Sequence, residues 1–212
     1  MDIYWYGQAC FKLKGKGASV LIDPFFPEFV GLKLPKDTSD VVIKTHDHED
    51  HSNIEAAGPE AVKITGPGEY EIKGVAVTGV SVFHDKDEGK ERGRNIIYNI
   101  EIDGINIVHL GDLGHSLSEK QIEELGSTDI LLIPVGGTFT IDASDAAKVV
   151  AQLEPRIVIP MHYGIEGLKF ELDKVDSFLK EMGSEGKEPQ PKLSISKDKL
   201  PDETEVVVLS KQ

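Results

Sequence analysis

Short β-branched runs punctuate this chain and give it its first legible pattern. Apolar stretches at 18–22, 41–44, 75–83, 95–102, 105–110, 130–134, 157–160 and 206–209 have the length and the Val/Ile content of strands. Asp103-Gly104 separates two of them. That dipeptide supplies the positive φ angles a two-residue hairpin turn needs, so the flanking runs are predicted to pair antiparallel. Helical spacing of apolar residues marks 118–125, 142–153 and 170–182, the first behind a Ser118-x-x-Gln121 capping box. Strand-rich and helical segments alternate, which predicts a layered α/β fold, in a single domain over residues 1–212.

The polar residues fall at the ends of these strands. The 41–44 run leads into HDHEDH, 105–110 into GDLGH, 130–134 into VGG, 157–160 into MHYG, and 18–22 into Asp23-Pro24. In layered α/β folds the carboxyl edge of the strands is where ligands bind, because rigid strands aim loop residues into one crevice. The stretch GPGEYEI at 66–72 reads as a turn leading into the strand at Val75, and 183–192 as a polar connector to a last strand.

Composition narrows the classes. A chain of 212 residues with 39% hydrophobic and 28% charged residues has material for a substantial core. Its formal net charge of −14 argues against nucleic-acid partners, which need a basic face. The single Cys10 offers neither an internal disulfide nor a thiolate metal site. The N-terminus lacks the basic flank and apolar core of a signal peptide, and no apolar run is long enough for a membrane span. A cytoplasmic protein without a membrane partner is therefore expected; the sequence fixes no oligomeric state.

The segment THDHEDH, residues 45–51, crowds three histidines and three carboxylates together. Side-by-side carboxylates repel, so crowding calls for a compensating cation, and imidazole and carboxylate are ligands of zinc, manganese and iron. In an extended segment His46 and His48 point the same way and can chelate one ion, while a turn after them redirects Asp50 and His51 toward a second. Together with distant ligands these groups exceed the four or five that one zinc takes.

H-x-H-x-D-H after an apolar strand, a later His, a later Gly-Asp and a final His resemble the metallo-β-lactamase-fold hydrolases. The stretches GPGEYEI, HLGDLGH, IPVGG and IPMHYG narrow the resemblance to the lactonase-related branch of uncharacterised metal-dependent hydrolases. The resemblance implies a four-layer αβ/βα sandwich with the metals at its edge. It also implies a ligand map: His46, His48 and His84 on one ion, Asp50, His51 and His162 on another, and Asp112 bridging both. The aspartate at 112, where lactamases proper often carry Cys, points to the wider esterase and hydrolase members.

Competing readings stand beside these. HDHEDH reads otherwise as a solvated loop, His84 as a surface histidine in a loop of mixed charge, His162 as a buried hydrogen-bonded histidine, and Asp112 as a helix cap. His109, on its strand, is expected in the core or behind a ligand. Asp23 is expected to orient a ligand histidine or to form a turn with Pro24. Gly136 and Gly137 read as free backbone donors or as a tight turn.

Two divalent ions, with zinc expected and manganese or iron as alternatives, would activate a bridging water for hydrolysis. A small-molecule ester, lactone or phosphodiester is the expected substrate. Asp50, His115 and Tyr163 are the candidate catalytic groups, His115 and Tyr163 as proton donors to the leaving group. A nucleic-acid-processing nuclease and a non-catalytic metal-binding module are the alternatives.

Overall fold

In a computed structural model describing residues 1–212, the strands form two sheets. The first has six strands: β1 (Asp2–Gly7), β2 (Cys10–Lys14), β3 (Ser19–Ile22), β4 (Val41–Ile43), β5 (Val62–Ile64) and, at its far edge beside β1, β12 (Leu193–Ser194). The second has seven: β6 (Gly68–Ile72), β7 (Val75–Phe83), β8 (Arg94–Ile102), β9 (Ile105–His109), β10 (Ile130–Pro134), β11 (Ile157–Met161) and β13 (Glu205–Val206), in the order β13-β11-β10-β9-β8-β7-β6.

Alternation along the first sheet shows how it packs. Ile3 and Trp5 of β1, Val20 and Ile22 of β3, and Val41 and Ile43 of β4 enter the main core of 46 residues. Tyr6, Leu21 and Val42 point to the opposite face and join a smaller cluster with Phe25, Val30 and Ala57. Side chains alternate across a strand, so one face looks inward between the sheets and the other outward. Three helices, α2 (Glu119–Leu125), α3 (Ala143–Leu153) and α4 (Val175–Glu181), lie outside the second sheet, and α3 contributes Ala146, Val149, Val150 and Leu153 to the main core. Outside the first sheet the covering layer is thin: a single turn, α1 (Pro27–Val30), and a 3₁₀ turn at Ile54–Ala57. The arrangement is the expected α/β sandwich, with one outer layer reduced to single turns.

Ser118 caps α2 through the expected capping box, and Asp142 caps α3. Asp103 (φ 53°) and Gly104 (φ 77°) close the predicted hairpin. Other expectations need correction. The pair β1–β2, with no counterpart among the predicted strands, is a full hairpin. GPGEYEI is not merely a turn: β6 pairs along its length with β7, and its mostly exposed pattern is that of an edge strand. The 170–182 helix begins only at Val175, since the Asp173 backbone is engaged elsewhere, its N–H by Gly136 O and its carbonyl by the Gly164 N–H. The last strand pairs at Glu205–Val206 rather than through Leu209, which makes only an isolated bridge to Gln190.

Parallel registers align the functional edge. Ile22 lies opposite Ile43, Leu132 opposite His109, and Pro134 opposite Met161. The residues one or two positions past each strand, Asp23, Thr45, Leu110, Val135 and His162, therefore leave the sandwich at one end.

Candidate metal centre

Seven side chains converge at that end. Ring nitrogens of His46, His48 and His84 form one group, and Asp50, His51, Asp112 and His162 form another; within each, the potential ligand atoms lie within 4.8 Å of one another. His46 Nε2 and His48 Nδ1 are 3.0 Å apart. The Asp112 carboxylate joins the groups: Oδ2 is 3.3 Å from His84 Nε2 and 3.4 Å from His162 Nε2, while Oδ1 is 3.2 Å from His51 Nε2. Every residue of the expected ligand map is thus brought together. The surface-loop reading of His84 fails on its burial, since only 1% of its area is exposed.

The supporting groups explain why the rings hold these orientations. His51 Nδ1 lies 2.8 Å from Asp23 Oδ2, and the same carboxylate accepts the Thr45 backbone N–H at 2.8 Å and its hydroxyl at 2.7 Å. Asp23 therefore fixes both the tautomer of His51 and the exit of the chain from β4. Thr45 Oγ1, already donating to Asp23, faces His46 Nδ1 at 3.0 Å, which leaves His46 Nε2 free to ligate. Gln8 directs Nε2 at Asp50 Oδ2 (3.4 Å) and at His162 Nε2 (3.3 Å). Asn95 donates to Leu110 O and accepts the Asp112 N–H, holding the turn that carries the bridging carboxylate. Gln8, Asp23 and His162 all have positive φ, between 44° and 51°. Such backbone is costly for non-glycine residues and persists where surrounding contacts enforce it, often at functional sites.

Gln8 and Asn95 are the contributors that motif reading passed over. The available signals were a polar residue inside the apolar run YWYGQACF and one at the start of a predicted strand. His109 is buried, with Nε2 donating to Ala9 O at 2.8 Å and Nδ1 accepting the Gly111 N–H at 3.0 Å, so it braces the site without ligating. Gly136 is a packing requirement: a Cβ there would lie 2.1 Å from the His162 carbonyl oxygen.

Two expected catalytic groups are placed elsewhere. His115 has Nε2 accepting the Phe83 N–H and Nδ1 donating to Ser116 O, so both nitrogens are committed. Tyr163 is buried with its ring stacked on Trp5 at 4.9 Å, and burial pushes its phenol well above the usual range. Neither lines the cavity over the centre, whose walls include Asp50, His48, His84 and Asp112. Of the three catalytic candidates, only Asp50 stands at the ligand cluster.

Charge within the cluster fits a cation. His51 Nε2 and Asp112 Oδ1 are buried without a hydrogen-bond partner, and with Nδ1 of His51 engaged by Asp23 the Nε2 lone pair faces two carboxylates. Acceptors facing acceptors in a buried site require positive charge between them, supplied by a proton on the ring or by a cation in its place. Imidazole nitrogens and carboxylate oxygens in this number are the donor set of divalent transition ions.

A protein-family model described as the β-lactamase superfamily domain matches residues 2–162. The chain belongs to the metallo-β-lactamase superfamily. A UPF0173 protein of Pyrococcus abyssi is 32% identical over 82% of this chain and 91% of its own. A UPF0173 metal-dependent hydrolase of Thermoplasma acidophilum is 30% identical over 77% of this chain and 83% of its own. Among solved structures, a candidate Zn-dependent hydrolase of the metallo-β-lactamase superfamily from Thermotoga maritima superposes with a TM-score of 0.79 at 38% identity, covering 98% of this chain and 97% of that one. The protein is thus a metal-dependent hydrolase of the metallo-β-lactamase superfamily, and its His/Asp cluster is suited to a metal site. No helix is long and apolar enough to cross a membrane.

Proposed function

We propose that this metallo-β-lactamase-fold protein is a dinuclear hydrolase of small esters, lactones or phosphodiesters. The observation that carries this reading is Asp112, whose two oxygens lie between the His46/His48/His84 group and the Asp50/His51/His162 group. A bridging carboxylate is what two adjacent ions need. Divalent ions held by these residues, zinc above manganese or iron, would lower the pKa of a water and polarise the substrate oxygen.

The remaining chemistry belongs to the chain. Asp50, oriented by Gln8, is the carboxylate placed to take a proton from the attacking water and pass it to the leaving group. His115 and Tyr163 are withdrawn from that role. The cavity over the cluster is about 380 Å³, a size suited to a small molecule. With a net charge of −14 the surface disfavours a nucleic-acid substrate.

The test is a hydrolysis panel run on protein stripped with a chelator and reloaded with Zn²⁺, Mn²⁺ or Fe²⁺. Turnover that appears only on reloading and reaches its maximum at two ions per chain is expected. Turnover by the stripped protein, or none with any metal, would overturn the reading.

A further inference from the structure

The loop between β7 and β8 carries residues 84–93, and the ligand map uses only His84. The rest of the loop is tightly organised. Asp85 accepts backbone N–H bonds from Asp87, Gly89, Glu91 and Arg92, at 2.8 to 3.1 Å. His84 N–H donates to Gly93 O at 3.0 Å, which closes the loop beside the metal ligand. The product of this order is a fixed place for Arg92.

Arg92 lines the cavity over the cluster together with Phe29, Phe139 and Phe170. Its guanidinium lies 5.0 Å from the Phe139 ring centre, and Phe170 is 5.3 Å from Phe29 and 6.3 Å from Phe139. Three aromatic rings from three separate segments thus form one wall, with a cation at its end. The guanidinium makes no ion pair and donates no hydrogen bond within the chain, although Asp47 and Glu49 line the same cavity and Asp47 is taken by Lys44. Arg92 also lines the adjoining groove with Arg94, likewise without an acidic partner. Two of the chain's three arginines therefore stand free beside the metal centre of an acidic protein. A stacked guanidinium with free N–H groups is suited to grip the oxygens of an anion.

We propose that the substrate carries, besides its hydrolysable bond, an apolar or aryl group seated against Phe29, Phe139 and Phe170 and an anionic group held by Arg92. This specificity rests on the hydrolase reading for the reacting bond. Arg92 is a binding residue here, and Asp85 positions it.

Two measurements test the inference. The first compares the 4-nitrophenyl ester of glutaric acid, which has a free carboxylate, with its methyl-capped neutral counterpart, in wild type, Arg92→Gln and Arg92→Lys. The ratio of kcat/KM, anionic over neutral, is expected to exceed one and to fall about tenfold in Arg92→Gln, the loss typical of a charge-assisted hydrogen bond. Arg92→Lys should fall between them. An unchanged ratio means that Arg92 only braces Phe139, and the proposal fails.

The second measurement needs no turnover and so separates this inference from the hydrolase reading. Calorimetric titrations of 4-phenylbutyrate, 4-phenylbutan-1-ol and phenyl phosphate are made with wild type and Arg92→Gln, each both metal-loaded and chelator-treated. The anions are expected to bind wild type more tightly than Arg92→Gln in both metal states, and the alcohol to show no such difference. Whichever of phosphate and carboxylate loses more affinity in Arg92→Gln is the anion that Arg92 selects. Binding that does not depend on Arg92, or no binding by either anion, overturns the proposal even if the hydrolysis panel succeeds.

Discussion

The two halves of the metal centre are built differently. Asp50, His51, Asp112 and His162 are all buried, and positive φ occurs at His162 itself and at the two supports, Asp23 behind His51 and Gln8 behind Asp50 and His162. In the other half His46 and His84 are buried but His48 is exposed and lines the cavity. One half is a buried socket that meets the cavity only through Asp50 and Asp112, and the other opens to it through the exposed His48 as well as His84. Closed sites built from supported ligands are preorganised, whereas an open ligand can adjust as a substrate enters. The difference suits the socket to the firmer hold on a metal, with Asp50 and Asp112 at its mouth, and the open half to readier adjustment at the cavity.

Removing the group shared by both halves should have the largest effect. Asp112→Ala is expected to lower kcat/KM by on the order of a thousandfold, the equivalent of several kcal/mol of charge stabilisation. His109→Ala, which removes only a brace, should cost far less. Comparable losses in two folded variants would show that the ligand map is wrong.

Ligand removal within one half should next separate the two. His51→Ala is expected to reduce metal content from about two ions to about one per chain, since zinc holds poorly with a ligand missing from a closed site. His48→Ala should leave the socket loaded and lower turnover more than metal content. Elemental analysis after dialysis distinguishes these outcomes; equal metal loss in both variants would erase the distinction between socket and open half.

The parts of this comparison legible in the sequence were those in which one chemistry recurs at strand ends. His46, His48, Asp50, His51, Asp112 and His162 all follow short apolar runs, so a strand pattern and a donor pattern pointed to the same edge. Gln8 acts through contacts to residues 42 and 154 positions away and Asn95 through hydrogen bonds to residues 15 and 17 away, and no local pattern encodes such pairs. His115 looked like a donor because it shares GDLGH with Asp112, yet three residues of turn carry it to the Phe83 backbone. Strand β6 was hidden because an edge strand with exposed residues lacks the apolar alternation that identifies buried ones.

A smaller effect is expected from weakening the socket's support. Asp23→Asn keeps the size of the side chain but reduces the charge that orients His51, and should weaken metal affinity by about 10- to 100-fold. Competition with a chelator measures it. An affinity within twofold of wild type would mean that Thr45 and the backbone alone hold the ring.

The smallest expected effect is a difference in pH dependence between the halves of the metal-free protein. Burial lowers the basicity of His46, to about 2, and the neighbouring imidazoles add to that; His48 is lowered for the same reasons. Both rings are therefore neutral at pH 7 and offer lone pairs without releasing a proton. Burial also opposes charge on His51 and His162, but Asp112 and Asp50 outweigh it and raise both above the usual histidine value, with Asp23 adding to the effect on His51. A raised folded pKa means that the metal-free socket holds these protons more tightly than the unfolded chain does. Their stabilising effect is complete below the ordinary histidine value and is lost as pH rises through the raised one. Metal entering the socket must displace them, so its affinity should strengthen with rising pH from neutrality upward, by at most about tenfold per pH unit for each proton released. The contribution of His46 and His48 to metal affinity should stay nearly flat over the same range. Calorimetry of the first and second metal equivalents, in buffers of different ionisation enthalpy, counts the protons released at each step. Equal proton release in both steps would mean that the two halves share one electrostatic environment, and the contrast between socket and open half would then rest on exposure alone.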